Sequence, residues 1–503
     1  MRFLSVIGLV GLAWAQDPLV VEGTVVHALS GAPLRTVSVQ IYGPAMPTAV
    51  VVTDATGKFR FVGIKPGRYQ LRAERIGFFA DGAADPAVEL TAGSGARVSP
   101  ILLWPGGAIS GTVTDEESEP IVGAQVTLSR RAYVGGHRQM VHVANTATDD
   151  RGQYRLFGLR QDRYYVRAAA PRTAGQALLY PPTFYPAVTD VDKTAPLLLG
   201  AGQEQRGINI ALRPGIGYRL AGRVINGLTN SPVTSLNISI NPRGIGATPS
   251  DMPVTIGVHD PGGKFAVNGI MPGQYDLMAN LYYDKRTIQA RMLVDVRRDV
   301  EDVVLTLQPG VQIRGRIQVE GKGAVNLSTI RVAIESPEDV IGGGGAARVT
   351  TEGAFEIGPL LPSRYTANLY NLPAGAFLQA VTVGDREATL DLSGAAGLTV
   401  ETVWVVSMKG GKVTGKTAAG AVVALVPAAD QPLRQSRYRA VEADSEGRYE
   451  MDGVGPGSYQ VFAFKRVEPG AWMDDSFLAI LVDGGVAVKV EENETKAVDL
   501  KAQ

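Results

Sequence analysis

The feature that most constrains this chain is a phrase it repeats. Asp54, Gly57, Phe59, Phe61, Gly63, Pro66, Gly67 and Tyr69 form the pattern D-x-x-G-x-aromatic-x-apolar-x-G-x-x-P-G-x-Y. The same pattern returns at Asp260, Gly263, Phe265, Val267, Gly269, Pro272, Gly273 and Tyr275, and at Asp444, Gly447, Tyr449, Met451, Gly453, Pro456, Gly457 and Tyr459. A second copy keeps Asp149, Gly152, Tyr154, Gly158 and Tyr164 but carries Gln161-Asp162 in place of Pro-Gly. A fourth keeps Gly353, Phe355, Pro362 and Tyr365, with Thr350, Pro359 and Ser363 replacing Asp, Gly and Gly. The closing tyrosines fall at 69, 164, 275, 365 and 459, so the spacings are 95, 111, 90 and 94 residues. A recurrence at roughly 100 residues makes the chain an array of small units rather than one large domain.

Each part of the phrase has a physical reading. Asp ahead of x-x-Gly bonds backbone amides, and Gly accepts positive φ, so the pair makes a hairpin turn. Aromatic-x-apolar has period two, which puts both side chains on one face of a strand. Pro-Gly suits the central positions of a type II turn. The tyrosine that follows points inward, and a buried hydroxyl must find an acceptor, as in the tyrosine corner of sandwich domains.

A second phrase opens the units: Gly23-Thr-Val25, Gly111-Thr-Val113, Gly222-Arg-Val224 and Gly315-Arg-Ile317. An alternating strand follows, such as Val37-x-Val39-x-Ile41 or Leu236-x-Ile238-x-Ile240. No window sustains a 3.6-residue period. The expected fold is all-β: a tandem array of about five antiparallel, seven-stranded β-sandwiches of prealbumin-like or immunoglobulin-like type. The expected units are residues 16–104, 105–213 (with an aromatic and Pro-rich insertion), 214–307, 308–407 and 408–503.

Composition agrees and excludes alternatives. Gly and Pro number 60 and 30 in 503 residues, too few and too irregular for collagen, and there is no Cys to build a disulfide scaffold. Lys plus Arg and Asp plus Glu are both 49, so there is no net charge to draw nucleic acid or an anionic membrane. Arg2, the apolar run from Phe3 to Leu12 and Ala13-Trp14-Ala15 read as a secretory signal over residues 1–15, cleaved after Ala15. The run is too short to anchor in a bilayer. The expectation is a secreted or periplasmic monomer without a membrane span.

The lines Gly111-Thr-Val113…Pro120…Gly123-Ala124-x-Val126-x-Leu128 and Asp444-x-x-Gly447-x-Tyr449…Gly453…Pro456-Gly457-x-Tyr459 resemble the carboxypeptidase regulatory-like domain, a transthyretin-like sandwich. The resemblance extends over nearly all of the mature chain. Similar folds include starch-binding-like domains and the B-type repeats of surface adhesins. The resemblance implies an accessory or binding module, in other proteins a companion of a peptidase domain or of an outer-membrane barrel. B-type repeats can also join Lys to Asn covalently. Here the first strands carry Thr24, Thr112, Arg223 and Arg316, and only Lys412 or Lys416 offers an amine.

Catalytic signatures are missing from the sequence. None of His27, His137, His142 and His259 has Glu three residues on, as a His-x-x-Glu zinc pair needs. There is no G-x-S-x-G elbow. Asp149-Asp150 and Asp190-x-Asp192 read as solvated turn carboxylates before they read as calcium ligands. Gly410-Gly-Lys-Val-Thr-Gly415-Lys416-Thr417 fits the phosphate-binding G-x-x-x-x-G-K-T pattern. Yet that loop needs a helix after it, and the segment aligns with a strand of earlier units. No enzyme activity, cofactor or metal is expected. The candidate ligand-binding residues are Tyr180, Phe184 and Tyr185, on the stiff Tyr-Pro-Pro-Thr-Phe-Tyr-Pro insertion, and Trp472. Such rings can stack on a sugar or grip a Pro-rich peptide; the alternative is that they pack over the sandwich. Polysaccharide or another envelope protein is the expected partner.

Overall fold

The computed structural model describes residues 19–43, 46–80, 87–90, 96–171, 180–243, 254–284, 286–321, 325–336, 344–384, 386–387, 390–430, 434–481 and 485–503. The signal segment 1–15 lies outside these residues. By contact density the chain divides into two compact units, one of residues 1–128, 144–171 and 182–212, the other of 129–143, 172–181 and 213–503.

Strands dominate every repeat, and the opening strand holds the same place in each. Leu19–His27 lies between Lys58–Ile64, antiparallel, and Ile101–Pro105, parallel. Gly107–Thr114 lies between Gln153–Leu159 and Ile210–Ala211 in the same senses. Tyr218–Asn226, Val311–Glu320 and Gly411–Lys416 repeat the arrangement. The parallel neighbour departs from the all-antiparallel expectation. It arises because the chain ends each repeat beside its own first strand, a long-range choice that no short motif encodes.

The second sheet of each repeat is antiparallel. In the first, Ser38–Gly43 lies between Met46–Val52 and Gly67–Glu74, with Ala87–Leu90 beyond. In the fifth, Val422–Pro427 lies between Arg439–Glu442 and Gly457–Phe464, with Val486–Val490 beyond. The third repeat differs, because Arg286–Val296 pairs with both Gly273–Tyr283 and Val300–Pro309 and so joins its two sheets at a corner. Alternate residues turn inward, as in Gly67–Glu74, where Tyr69, Leu71 and Ala73 are buried between exposed Arg68, Gln70 and Arg72. The cores are local. One cluster draws on residues from Leu19 to Leu103, another on Leu220 to Leu307, a third on Val311 to Val406 and a fourth on Val413 to Ala502.

The repeated phrase accounts for how these sheets are closed. Asp54 Oδ1 accepts from the backbone N–H of Thr56 (2.8 Å) and Lys58 (3.0 Å), and Gly57 turns back at φ 73° to donate to Asp54 O. Asp149 and Gly152, Asp260 and Gly263, and Asp444 and Gly447 repeat this geometry. In the fourth repeat the hydroxyl of Thr350 takes the carboxylate's place, accepting from Ala354 N–H at 3.1 Å, with Gly353 at φ 87°. The Pro-Gly pair behaves differently from expectation. Gly67, Gly273 and Gly457 have φ of 155°, 157° and 153° and begin strands, so they are not the left-handed residue of a type II turn.

Candidate functional site

The closing tyrosines form one contact five times. Tyr69 Oη donates to Lys65 O (3.0 Å), Tyr164 to Arg160 O (2.8 Å), Tyr275 to Met271 O (2.9 Å), Tyr365 to Leu361 O (2.7 Å) and Tyr459 to Gly455 O (2.6 Å). In every case the acceptor lies four residues upstream, across the turn that begins the strand. Burial pushes the phenols of Tyr365 and Tyr459 above their ordinary value, as expected for a hydroxyl removed from water.

The aromatic of D-x-x-G-x-aromatic meets the opening glycine. Gly23 faces Phe59, Gly111 faces Tyr154, Gly222 faces Phe265, Gly315 faces Phe355 and Gly415 faces Tyr449 across the ladder. A methyl at Gly23 or Gly315 would strike the facing phenylalanine ring, and one at Gly111, Gly222 or Gly415 would strike a carbonyl in or beside the closing strand. Where the aromatic is tyrosine, its hydroxyl donates to a carbonyl flanking that strand: Tyr154 Oη to Ile208 O at 2.6 Å and Tyr449 Oη to Val498 O at 2.5 Å. Burial drives both phenol pKa values up, Tyr449 to about 12. The turn Asp and Gly, the opening Gly, the facing aromatic and the closing Tyr thus have structural roles.

The candidate ligand-binding rings separate. Phe184 is 1% exposed: it lies in the short strand Thr183–Phe184, paired with Arg167 and Ala168, with the Arg167 guanidinium 5.9 Å from its ring. The ligand-binding assignment is therefore corrected for Phe184, because a ring with no accessible face cannot stack on a sugar. Its backbone bonds Val188 in both directions, which closes the insertion on itself. Tyr185 is half-buried and donates its backbone N–H to Val166 O at 2.9 Å. Tyr180 is half-buried. Trp472 is half-buried against a small apolar cluster of Phe462, Phe464 and Tyr438, a lid formed by the segment around the short helix Asp475–Ala479. Alternation along a strand would turn one ring of the adjacent Tyr282 and Tyr283 inward and the other outward. Both are accessible, at 74% and 40%, at the tip of the long hairpin of the third repeat. Hairpin length was the missing signal: two strands of eleven residues carry the tip past the core.

The other candidates resolve into structure. Gly411–Lys416 is a strand with neighbours on both sides, and no helix follows it, so the G-x-x-x-x-G-K-T match makes no phosphate cradle. Lys412 Nζ is held 2.6 Å from Glu450 Oε1 as an ion pair. Asp190 caps the short helix Val191–Lys193. His27 Nδ1 accepts from the N–H of Leu29 and Ser30. Among the described residues no group of three His, Asp or Glu could hold a metal, and no helix is long and apolar enough to cross a membrane.

Residues 20–102 and 108–212 each match the family model of the carboxypeptidase regulatory-like domain. The chain carries this domain in those two segments. No curated protein matches the chain. Solved structures similar to it include the Bacillus anthracis TIE protein, at 11% identity over 58% of this chain and 51% of that one, with a TM-score of 0.19. A streptococcal ancillary pilin is 13% identical over 58% of this chain and 100% of its own length, with a TM-score of 0.21. The minor pilin GBS52 of Streptococcus agalactiae is 15% identical over 39% of this chain and 96% of its own, with a TM-score of 0.24. The chain thus spans about half the length of the TIE protein. At these scores the likenesses carry no argument about function.

Proposed function

We propose that the protein is a non-enzymatic, exported array of five sandwich modules, residues 16–104, 105–213, 214–307, 308–407 and 408–503, serving as a spacer or binding element at the cell envelope. One observation carries the reading: the repeated residues are consumed by folding. Asp and Gly close turns, the opening Gly accommodates a ring or a carbonyl, and the tyrosines bond backbone oxygens. A repeat whose motif is entirely framework supports a role in presenting surfaces at fixed intervals. The leader-like residues 1–15 support export.

The test has two parts. Purified protein incubated with a peptide library, with and without chelator, should hydrolyse nothing; turnover abolished by substitution of any one side chain would overturn the non-enzymatic reading. In cells, the segment 214–307 is deleted and then replaced by an unrelated sandwich of similar size. Restoration of the lost phenotype by the replacement supports a spacer, and failure of restoration supports a binding element.

A further inference from the structure

We propose that the outward face of the long hairpin in the third repeat binds an acidic oligosaccharide. This names a ligand class for the binding reading above. Gly273–Tyr283 and Arg286–Val296 pair at eleven positions, from Gly273 with Val296 to Tyr283 with Arg286. Directly opposed residues share a face. Asp276, Asn280 and Tyr282 therefore lie on one face with Gln289 and Arg291, while Leu277, Ala279, Ile288 and Ala290 fill the core on the other. Six residues of strand separate Asp276 from Tyr282, about 20 Å.

The two ends of this strip are built differently. At one end Asp276 is 9% exposed and holds two guanidiniums. Arg291 Nε and Nη2 donate to its two oxygens at 3.1 Å each, and Arg243 Nε lies 3.2 Å from Oδ2. These residues line a cleft of about 480 Å³ whose opposite wall is Leu361, Pro362, Ser363 and Ser393 of the fourth repeat. Arg243, Arg291 and Asp276 are the charged groups of its lining, two positive and one negative. Ser363 puts a hydroxyl where the first, third and fifth repeats have glycine. Gln289 also lines the cleft, and its buried Nε2 has no hydrogen-bond partner among the described residues. At the other end Tyr282 stands 74% exposed.

The geometry selects the occupant. Gly273–Tyr283 is flanked by Leu236–Pro242 on one side and Arg286–Val296 on the other. From Tyr275 to Ala279 the backbone is used in both ladders, so a peptide cannot join the strand there as an added strand. What the face offers is guanidinium, amide, hydroxyl and one accessible ring. Guanidinium recognises a carboxylate, amides and hydroxyls recognise sugar hydroxyls, and the phenol ring covers the apolar face of a pyranose.

The test uses the mature chain and oligogalacturonate as probe, with dextran and polyglutamate as controls, in affinity electrophoresis and titration calorimetry. Oligogalacturonate should bind in preference to both controls. Tyr282→Ala should weaken binding about tenfold with an unchanged melting temperature, since the ring is exposed. Arg243→Gln should weaken it as well. No binding of oligogalacturonate overturns the proposal, as does equal retention by polyglutamate, which would mean charge alone, or by dextran, which would remove the role of the carboxylate. Tyr282→Ala binding as wild type also overturns it. Any of these failures leaves the framework reading intact, because that reading is tested by the peptide library and the module replacement.

Discussion

Gly415→Ala is the sharpest test of why the opening strand carries glycine. A β-carbon there would overlap the carbonyl oxygen of Val498 and approach the Tyr449 ring to 3.0 Å. A backbone oxygen cannot rotate away as a side-chain tip can, so the closing strand must lift. Three interactions sit on that seam: Tyr449 Oη to Val498 O at 2.5 Å, Val498 N–H to Thr414 O at 2.8 Å and Leu500 N–H to Lys416 O at 2.9 Å. At about 1 kcal/mol each, the substitution costs about 3 kcal/mol, more if the Tyr449 hydroxyl is left buried without an acceptor. Gly394→Ala is the control, because nothing lies within 4 Å of its added methyl; it should change stability by less than about 1 kcal/mol. Hydrogen exchange reads the result locally. Amides of Gly411–Lys416 and Thr495–Ala497 should exchange about a hundredfold faster in Gly415→Ala, and be unchanged in Gly394→Ala. Equal protection in the two variants would refute the steric account.

Three further outcomes are expected. Tyr365→Phe removes one hydroxyl bond to Leu361 O and should cost about 1 kcal/mol in denaturant unfolding. Phe184→Ala, at 1% exposure, should cost about 3–5 kcal/mol, while Tyr185→Ala costs less; melting curves decide. The phenol of Tyr449 is raised by burial from its ordinary 10.0 to about 12, so its contribution is full below pH 10 and is lost as pH rises through 12. Thermal melts between pH 9 and 12 should show wild type losing stability relative to Tyr449→Phe.

The carboxylates respond at the opposite end of the pH scale. Asp444 is held below its ordinary 3.8, first by the Arg448 backbone N–H, so its contribution is present at neutral pH and is lost as pH falls below that value. The same backbone bond from Lys58 holds Asp54 low.

Much of the fold was legible because its signals are local. D-x-x-G turns, alternating strands and a tyrosine needing an acceptor each depend on a few neighbouring residues, and all five tyrosines found that acceptor four residues back. The parallel closing strands were not legible, because pairing Val25 with Ile101 depends on a contact 76 positions away. Phe184 was misjudged for a related reason. Pro-Pro ahead of it marks an extended loop, but the pairing with Arg167 that buries the ring is set by the sheet edge. The Arg243, Asp276 and Arg291 cluster was not legible because its members come from two strands and the residue after a third, and no spacing announces it.

The central claim is that the fifth repeat is a self-contained sandwich with its own core. Excising residues 408–503 and recording an amide-resolved NMR spectrum tests it most directly. The account predicts dispersed resonances, one cooperative melt, and protection of Gly411–Lys416 against Arg448–Val454 and Thr495–Ala497. Collapsed, unprotected resonances from the excised repeat would contradict it.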